Sequence, residues 1–260
     1  PSTAPQRAWR LPDGSTRPYP RAPFAPAGMS DPDMGVSADR VAAAAGIDRV
    51  RQDDYAAGSH ARAVAARDAG RLDRELVPVG GLTHDQRPRR GFGVQRLARL
   101  PAAFSPGGTA TAGNSCGVND GAAVLAVLPE ARRGGRPGLR LVDWACVGVD
   151  PAEPGLGPVP AVRRVLDRTG VALSDIGVVE ITEAFAGQVL ACTDALGLDR
   201  DRVCPDGGAI AYGHPWGASG AALVVRLFST MVDQDGPELG LATCGIGGGL
   251  GLALLVERVR

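Results

Sequence analysis

The feature that most constrains the fold is the regular alternation of strand-like and helix-like segments in the second half of the chain. Strands are predicted at 139–149, 176–181, 239–243 and 250–257, and helices at 160–168, 184–195 and 219–232. In the last helix Val224, Val225, Phe228 and Met231 recur at the spacing of a buried face. Strands that alternate with helices are typical of layered α/β domains, so the predicted fold class is α/β.

The first half of the chain is less regular. A helical pattern runs from 37 to 69, with Ser37 and Asp48 as N-caps and Gly70 at its C-terminal end. Residues 1–34 are rich in Pro, Arg, Ser and Gly and are predicted to be extended and irregular. Segment 117–128 has a glycine-rich start and an apolar continuation, which fits a buried strand or a short buried helix. Segment 132–138 is predicted to be a linker and domain boundary.

Composition excludes several functions. The 260 residues carry 28 cationic and 28 acidic side chains, and every cation is arginine. The balanced charge gives no electrostatic footprint for nucleic acid or an anionic membrane, and no apolar run reaches a membrane span. The absence of lysine removes P-loop and Schiff-base chemistry. Five scattered cysteines without a CxxC pair argue against a zinc site or disulfides, and predict a cytoplasmic protein.

Three glycine-rich segments carry the candidate chemistry, at 113–117, 207–217 and 244–249. In each of them a polar or sulfur-containing residue lies among glycines, where backbone N–H groups can approach a ligand. That composition is typical of an oxyanion hole. The third segment does not complete a GxGxxG dinucleotide fingerprint, because leucines occupy the positions needed.

Three side chains in or near these segments have two interpretations each. His214, between Gly213 and Pro215, is either a general base or a structural histidine at a turn. Cys244, at the end of an apolar strand, is either an activated thiol or an inert buried one. Glu183, at a strand-to-helix junction, either orients a neighbour or caps the helix.

Taken together, the motifs resemble one family. The order GNSCGVNDGAA, GPVPA, ITEAFA, GGAIAYGHPWGASGA and CGIGGGLG resembles the C-terminal half of a thiolase. Upstream, Arg21-Ala-Pro-Phe24, Met34-Gly35 and Pro101-Ala-Ala-Phe104 resemble the loop domain of that family. The resemblance covers essentially the whole chain, and its GGAIA and GHP block is highly specific.

The resemblance implies a thiolase-like layered fold, α-β-α-β-α when complete, of which this chain lacks most of the N-terminal domain. Residues 1–116 would form the loop domain with connecting segments, and 117–136 the last elements of the N-terminal domain with a linker. Residues 137–260 would form the C-terminal domain. Alone, such a chain should expose a large apolar face.

The resemblance also implies a reaction and its residues. Thiolases make or cleave a carbon–carbon bond between acyl-CoA thioesters, with coenzyme A thioester as substrate and no metal or permanently bound cofactor. His214 would be the general base, and Cys244 the acid/base that moves a proton at the α-carbon. Thr182 would hold a water beside the enolate oxygen, and the backbone at Gly247 would help to bind the second oxyanion. The coenzyme contacts would be Phe104, Ala112, Cys116, Ala184 and Phe185.

This sequence departs from the family pattern at four places. The nucleophilic Cys-x-Ser motif is missing, and Thr182 replaces the usual asparagine. Cys116 replaces a serine, which exchanges a good hydrogen-bonding group for a weak one. Aligned through the glycines, the family's second cysteine falls on Gly245, one residue after Cys244. A one-residue shift along a strand turns a side chain to the opposite face, unless a bulge restores its aim.

The sequence therefore predicts an acyl-CoA C-acyltransferase that is cytoplasmic, homodimeric or homotetrameric when complete, and inactive as these 260 residues alone. The chain is either an incomplete copy of a longer enzyme, which is favoured, or the partner of a separate chain that supplies the N-terminal half. One alternative is a non-catalytic thiolase-like protein that binds acyl-CoA or a partner. Another is a ketosynthase-type condensing enzyme, which the single GHP block disfavours. The run 87–90 of basic residues is either a solvated loop or a contact for coenzyme phosphates.

Overall fold

The computed structural model describes residues 8–18 and 23–260. Arg21 and Ala22 of the first loop-domain motif lie outside the described residues. The strands of the described part are β1 (Ala8–Arg10), β2 (Thr16–Pro18), β3 (Gly138–Gly148), β4 (Val178–Ile181), β5 (Leu239–Ile246) and β6 (Leu250–Val259). Its helices are α1 (Met34–Ala44), α2 (Arg49–Asp68), α3 (Val94–Leu97), α4 (Pro158–Thr169), α5 (Ala186–Leu196), α6 (Ala209–Tyr212) and α7 (Ser219–Phe228).

Four strands form one mixed sheet in the order β3-β6-β5-β4. Strands β4 and β5 are parallel, and β6 is antiparallel to both β5 and β3. Alternate residues face two cores: Leu241 and Leu255 face the core that includes α4 and α5, whereas Ala242 and Val256 face α7. The sheet is thus covered by helices on both faces, which confirms the α/β fold class.

Helix α4 shows why the second half was predictable. Pro158 occupies its first position, where the missing N–H costs nothing, and Gly170 ends it in the left-handed conformation with φ of 69°. Val162 and Val165 lie one turn apart and are fully buried against the sheet. Burying a valine contributes about 1.5–3 kcal/mol, so this face fixes the helix on the sheet. The predicted strands and the remaining helices are confirmed with boundaries shifted by a few residues.

The helical stretch predicted at 37–69 consists of two helices, broken at Gly46 where φ is 65°. Asp48 caps α2 as predicted, by accepting a hydrogen bond from the N–H of Arg51. Ser37 as N-cap was wrong: Asp33 caps α1, and the Ser37 hydroxyl is buried and donates to the carbonyl of Ala152. A serine one turn inside a helix can satisfy a distant carbonyl instead of its own helix end.

Segment 117–128 forms neither the strand nor the helix that its apolar run predicts. Val124 is 90% exposed and Val127 is 76% exposed. A strand exists only when a neighbouring strand supplies its hydrogen bonds, and none of the described strands pairs with this segment. Within residues 1–34 the described part 8–18 is not irregular but a short hairpin of β1 and β2.

One face of the sheet is only partly covered. Helix α7 packs on β4 and β5, whereas Leu141 and Trp144 on the same face of β3 are exposed, Trp144 to 60%. Large apolar side chains on an uncovered sheet face indicate a surface that meets another part of a protein.

In the described ranges, no helix has the length and hydropathy that a membrane crossing requires.

Candidate active site

His214 stands in the turn between α6 and α7. Gly213 ends α6 with φ of 98°, and the N–H of His214 donates to the carbonyl of Gly117 over 2.9 Å. Its Nδ1 lies 2.6 Å from the hydroxyl of Ser219, the first residue of α7. Burial lowers the pKa of His214 below its usual value, so the imidazole is neutral at neutral pH. Within the described ranges Nε2 has no hydrogen-bond partner, and it is the nitrogen left for a base.

Ser219 is a residue that sequence reasoning missed. It lies five positions after His214, a spacing that carries no signal until the turn between them is known. The hydroxyl holds one ring nitrogen, and thereby fixes the orientation of the ring.

Glu183 is fully buried and ties three elements together. Its carboxylate accepts hydrogen bonds from the hydroxyls of Tyr55 (2.8 Å) and Ser59 (2.7 Å) of α2, and from the N–H of Ile210 (3.1 Å) in α6. The N-terminal residue of α5 is capped by no side chain. Glu183 is therefore an orienting residue rather than a helix cap. It holds α2 and α6 against the turn that precedes α5.

Four of the five predicted coenzyme contacts lie together. The N–H of Cys116 donates to the carbonyl of Ala184 over 2.9 Å, and Phe185 meets Phe104 edge-to-face with centroids 5.6 Å apart. Ala112, the fifth, is exposed in the turn just before them. Burial raises the pKa of the Cys116 thiol to about 11, so this sulfur is protonated and unreactive at neutral pH.

Asn114 fixes the turn that carries Ala112 and Cys116. Its amide donates to a carboxylate oxygen of Asp53, its side-chain oxygen accepts from the N–H of Thr111, and its carbonyl accepts from the N–H of Ala186. All three partners are buried or half-buried, so the turn is rigid against both α2 and α5.

Thr182 directly follows β4, next to the part of β5 that contains Cys244. Its N–H donates to the carbonyl of Thr243 over 3.1 Å, so the two strand ends are adjacent. The Thr182 side chain is buried, and its hydroxyl has no partner among the described residues. An unsatisfied buried hydroxyl is costly, and one beside a reactive centre is suited to hold a water or a substrate oxygen.

The pairing of β5 with β6 decides which way Cys244 faces. The register of this pair is regular from Leu239 to Ile246, so these two strands contain no bulge that would re-aim Cys244. Cys244 and Cys146 both lie opposite Leu252, hence all three share the α7 face of the sheet. Burial and the neighbouring Cys146 raise the pKa of Cys244. Across the described residues, no hydrogen bond joins Cys244 to His214.

Gly245 faces the opposite side. A Cβ placed there would come within 2.6 Å of the carbonyl oxygen of Pro154, which lies in a short turn packed against that face. Gly247 lies in the turn between β5 and β6, where the ring of Phe24 occupies the space that a side chain would need. The glycines at these positions therefore permit close packing of the two turns on the strand ends.

The basic run 87–90 is divided among three environments. Arg90 pairs with Asp68 at the surface, and Arg89 lies 5.1 Å over the ring of Phe92. Arg87 turns inward, toward Gly117 and Gly213. The run is thus not a simple solvated loop.

Within the described ranges, no three His, Cys, Asp or Glu side chains are grouped so as to hold a metal ion.

Comparison with known proteins identifies the architecture. The model of the thiolase N-terminal domain matches residues 26–131, and that of the C-terminal domain matches residues 136–258. An acetyl-CoA acetyltransferase of Escherichia coli strain K12 is 43% identical over 238 residues, which are 87% of this chain and 60% of that protein. A 3-ketoacyl-CoA thiolase of Escherichia coli O139:H28 is 43% identical over 242 residues, 87% of this chain and 62% of that protein.

Solved structures give the same result. The acetyl-CoA acetyltransferase of Bacillus anthracis superposes with a TM-score of 0.85 and 36% identity, over 89% of this chain and 61% of that one. Human mitochondrial 3-ketoacyl-CoA thiolase superposes with a TM-score of 0.78 and 32% identity, over 87% of this chain and 60% of that one. The chain thus spans about 60% of the length of the relatives it matches. Two domain models in the right order, and matching structures across nearly all of the described residues, establish that the chain belongs to the thiolase family.

Proposed function

We propose that this chain serves an acyl-CoA C-acyltransferase, which makes or cleaves a carbon–carbon bond between acyl-CoA thioesters. The observation that carries the proposal is the neutral, half-buried His214, held by Ser219 in a turn that is hydrogen-bonded to Gly117. The turn thereby abuts the segment of Cys116, Ala184 and Phe185. The names of relatives at 43% identity, acetyl-CoA acetyltransferase and 3-ketoacyl-CoA thiolase, support the same reaction.

In the proposed reaction His214 takes the proton of the attacking thiol, and the resulting thiolate adds to the ketone carbonyl of a 3-ketoacyl thioester. The bond to the α-carbon then breaks, the electron pair leaves as the enolate of acetyl-CoA, and a proton returns to that carbon. The acyl group stays on the attacking thiol as a thioester, until the thiol of free coenzyme A takes it and releases the attacking thiol with its proton restored. Thr182 and the backbone at Gly247 would stabilise the oxygen charges. The coenzyme A thioester is the substrate, and we propose no metal or resident cofactor.

We propose that the attacking thiol lies outside these 260 residues. Burial raises the pKa of Cys116 to about 11 and of Cys192 to about 12, and raises that of Cys204 well above its usual value. The pKa of Cys244 is raised as well, and a thiol that stays protonated is a poor nucleophile. Cys146, the fifth cysteine, is exposed on β3, the outermost strand of the sheet, and makes no hydrogen bond to His214 in the described structure. The thiol could be supplied by a longer form of this chain or by a separate subunit, and the pKa values of these cysteines favour neither source over the other. Assembly as a homodimer or homotetramer, and location in the cytoplasm, stay predictions.

A second candidate is a non-catalytic thiolase-like protein that binds acyl-CoA. It is favoured by the position of Cys244, which lies on the α7 face beside Cys146 and makes no hydrogen bond to His214 in the described structure. If Cys244 does not reach the substrate, none of the predicted residues can move the proton at the α-carbon.

The two candidates are separated by an assay of the protein isolated from its source, with its intact mass and subunit composition recorded. We expect acetoacetyl-CoA thiolysis that falls by about 10²–10⁴-fold in His214→Asn, because a general base contributes that much. His84→Asn, an exposed histidine, is the matched control and should keep full activity. A Cys244→Ser protein as active as the parent would remove Cys244 from the mechanism. Thiolysis that survives in His214→Asn would contradict the role of His214 as the general base, whereas no thiolysis in the parent protein would contradict the enzyme proposal.

A further inference from the structure

Arg87 is a half-buried cation without a counter-ion. Its Nε is buried and has no hydrogen-bond partner, and no carboxylate of the described residues lies within ion-pair distance of the guanidinium. Other inward-facing arginines differ: Arg71 pairs with Asp206 at 2.8 Å, and Arg226 pairs with Glu75 at 2.5 Å. Removing part of a charge from water without a partner is costly, so a half-buried, unpaired guanidinium is suited to bind an anionic group.

Two glycines make room for this side chain. A Cβ at Gly117 would overlap the guanidinium itself, and a Cβ at Gly213 would come within 2.9 Å of the Arg87 Cδ. The stem of Arg87 therefore passes Gly213, and its charged end rests against Gly117. Next to it the side-chain oxygen of Asn119 is buried and also lacks a partner.

Arg87 and the two glycines that it contacts, Gly117 and Gly213, lie next to His214. Gly213 precedes His214 in the chain, and the carbonyl of Gly117 accepts the N–H of His214. The charge of Arg87 acts on the adjacent Cys116 thiol, whose pKa it lowers against the larger effect of burial. In a coenzyme A thioester the whole pantetheine arm separates the phosphates from the thioester carbonyl. An anion that reaches Arg87 while the carbonyl is at His214 therefore belongs to the acyl group.

We propose that Arg87 is a specificity-determining residue that binds the terminal carboxylate of a dicarboxylic acyl-CoA, and so selects acyl groups of the succinyl or glutaryl kind over monocarboxylic ones. A carboxylate matches the two parallel N–H groups of a guanidinium, which gives the pair both strength and orientation. This inference rests on the proposed function, because it takes the acyl thioester as the ligand.

The test is calorimetric binding of thioesters to the purified full chain. Glutaryl-CoA is compared with valeryl-CoA, and succinyl-CoA with butyryl-CoA, so that each pair differs only in the terminal carboxylate. We expect the charged member of at least one pair to bind on the order of tenfold more tightly, as for a hydrogen-bonded charge pair. Arg87→Gln should abolish that ratio and leave the affinity for the uncharged thioester unchanged.

Arg90→Gln is the matched control, because it removes the same charge from the neighbouring surface and should keep the ratio. Arg87→Lys keeps the charge but loses the two parallel N–H groups, and should retain part of the preference for the charged thioester. This variant separates a loss of binding from a folding defect. A ratio of one in the parent protein, or a ratio that persists in Arg87→Gln, would overturn the proposal. Equal weakening of free coenzyme A and all thioesters in Arg87→Gln would place a phosphate at Arg87 and would also overturn it.

Free glutarate separates the anion site from the proposed function. Phenylglyoxal labels accessible unpaired arginines, and glutarate should protect Arg87 from it, as mapped by peptide mass. Protection without any binding of coenzyme A thioesters would remove the proposed function and keep the anion site. No protection of Arg87 by glutarate or by glutaryl-CoA would remove the anion site itself.

Discussion

Two buried glutamates near the strand ends have opposite physical situations. Glu183 accepts three hydrogen bonds, whereas the Oε1 of Glu180 has no partner. Burial raises the pKa of Glu180 to about 8, against the opposing effect of Arg226. The charges of Glu183 and Asp206 also raise the pKa of Glu180, and a hydrogen bond with Cys204 lowers it. Glu180 is thus held as a neutral acid through most of the physiological range.

Glu180→Gln should stabilise the protein in alkaline solution. The native pKa of Glu180 lies above its unfolded value of 4.5, so stability is complete below pH 4.5 and is lost as pH rises towards 8. Glutamine mimics the neutral acid and does not titrate. At pH 8 urea unfolding should show a gain of about 2–4 kcal/mol over the parent, which shrinks towards zero at pH 5.

Glu183→Gln is the matched variant and should have the opposite sign, because its donors would lose a carboxylate acceptor. We expect a loss of about 1–3 kcal/mol at both pH values. Stabilisation by Glu183→Gln, or a Glu180→Gln effect independent of pH, would contradict this account of the two carboxyl groups.

His60 should make the protein acid-sensitive. It is buried against Phe92, and burial together with Arg89 and Arg87 lowers its pKa to about 4. A lowered histidine pKa means that stability is complete above pH 6.5 and is lost as pH falls towards 4, by about 3 kcal/mol in all. The free energy of unfolding should fall less steeply over that interval in His60→Gln. An unchanged slope would contradict the assignment.

Motif order in the sequence predicts His214, Thr182 and the residues around Cys116 as site residues, because each stands in a short contiguous pattern. It could not identify the donors to Glu183, since Tyr55 lies 128 residues away and only the packing of α2 brings it near. The sequence could not show either that Arg87 has no counter-ion. A charge in a sequence shows nothing of its counter-ion until the fold is known.

At the scale of elements, the register of β5 makes a prediction that the glycine pattern alone did not. Gly245→Ala should cost about 1–3 kcal/mol, because its Cβ would meet the carbonyl of Pro154 on the packed face. Cys244→Ala, one residue earlier and on the other face, should cost less. Urea unfolding of the two variants measures the difference. A larger loss for Cys244→Ala would show that the register of this strand is different.

Hydrophobic period predicted α4, α5, α7 and the strands of the sheet because each of them buries one face within the chain. Segment 117–128 has the composition of a strand but no neighbour in the described structure to pair with. Local sequence reports the tendency of a segment, whereas the existence of a strand depends on what lies beside it.

At the scale of the whole molecule, the open sheet face and segment 117–128 should make the isolated chain self-associate. Trp144 and Val124 are exposed apolar side chains on these two surfaces. Sedimentation velocity should show concentration-dependent association, which Val124→Glu combined with Val127→Glu reduces. Val50→Glu, at an exposed apolar position on α2, is the matched control. A chain that stays monomeric at all concentrations would contradict the prediction.

The larger hydrophobic core joins parts of the chain that the family models divide. Val41 and Tyr55 from α1 and α2 pack in the same cluster as Val189 of α5 and Leu241 of β5. The boundary between the two family models, near residue 136, therefore does not separate two hydrophobic cores. A cut near residue 136 would separate two sequence modules, and would also divide one core and leave the buried carboxylate of Glu183 without two of its donors. The smallest piece able to fold as a unit thus includes α1 and α2 together with the C-terminal sheet, so α2 would melt together with the sheet.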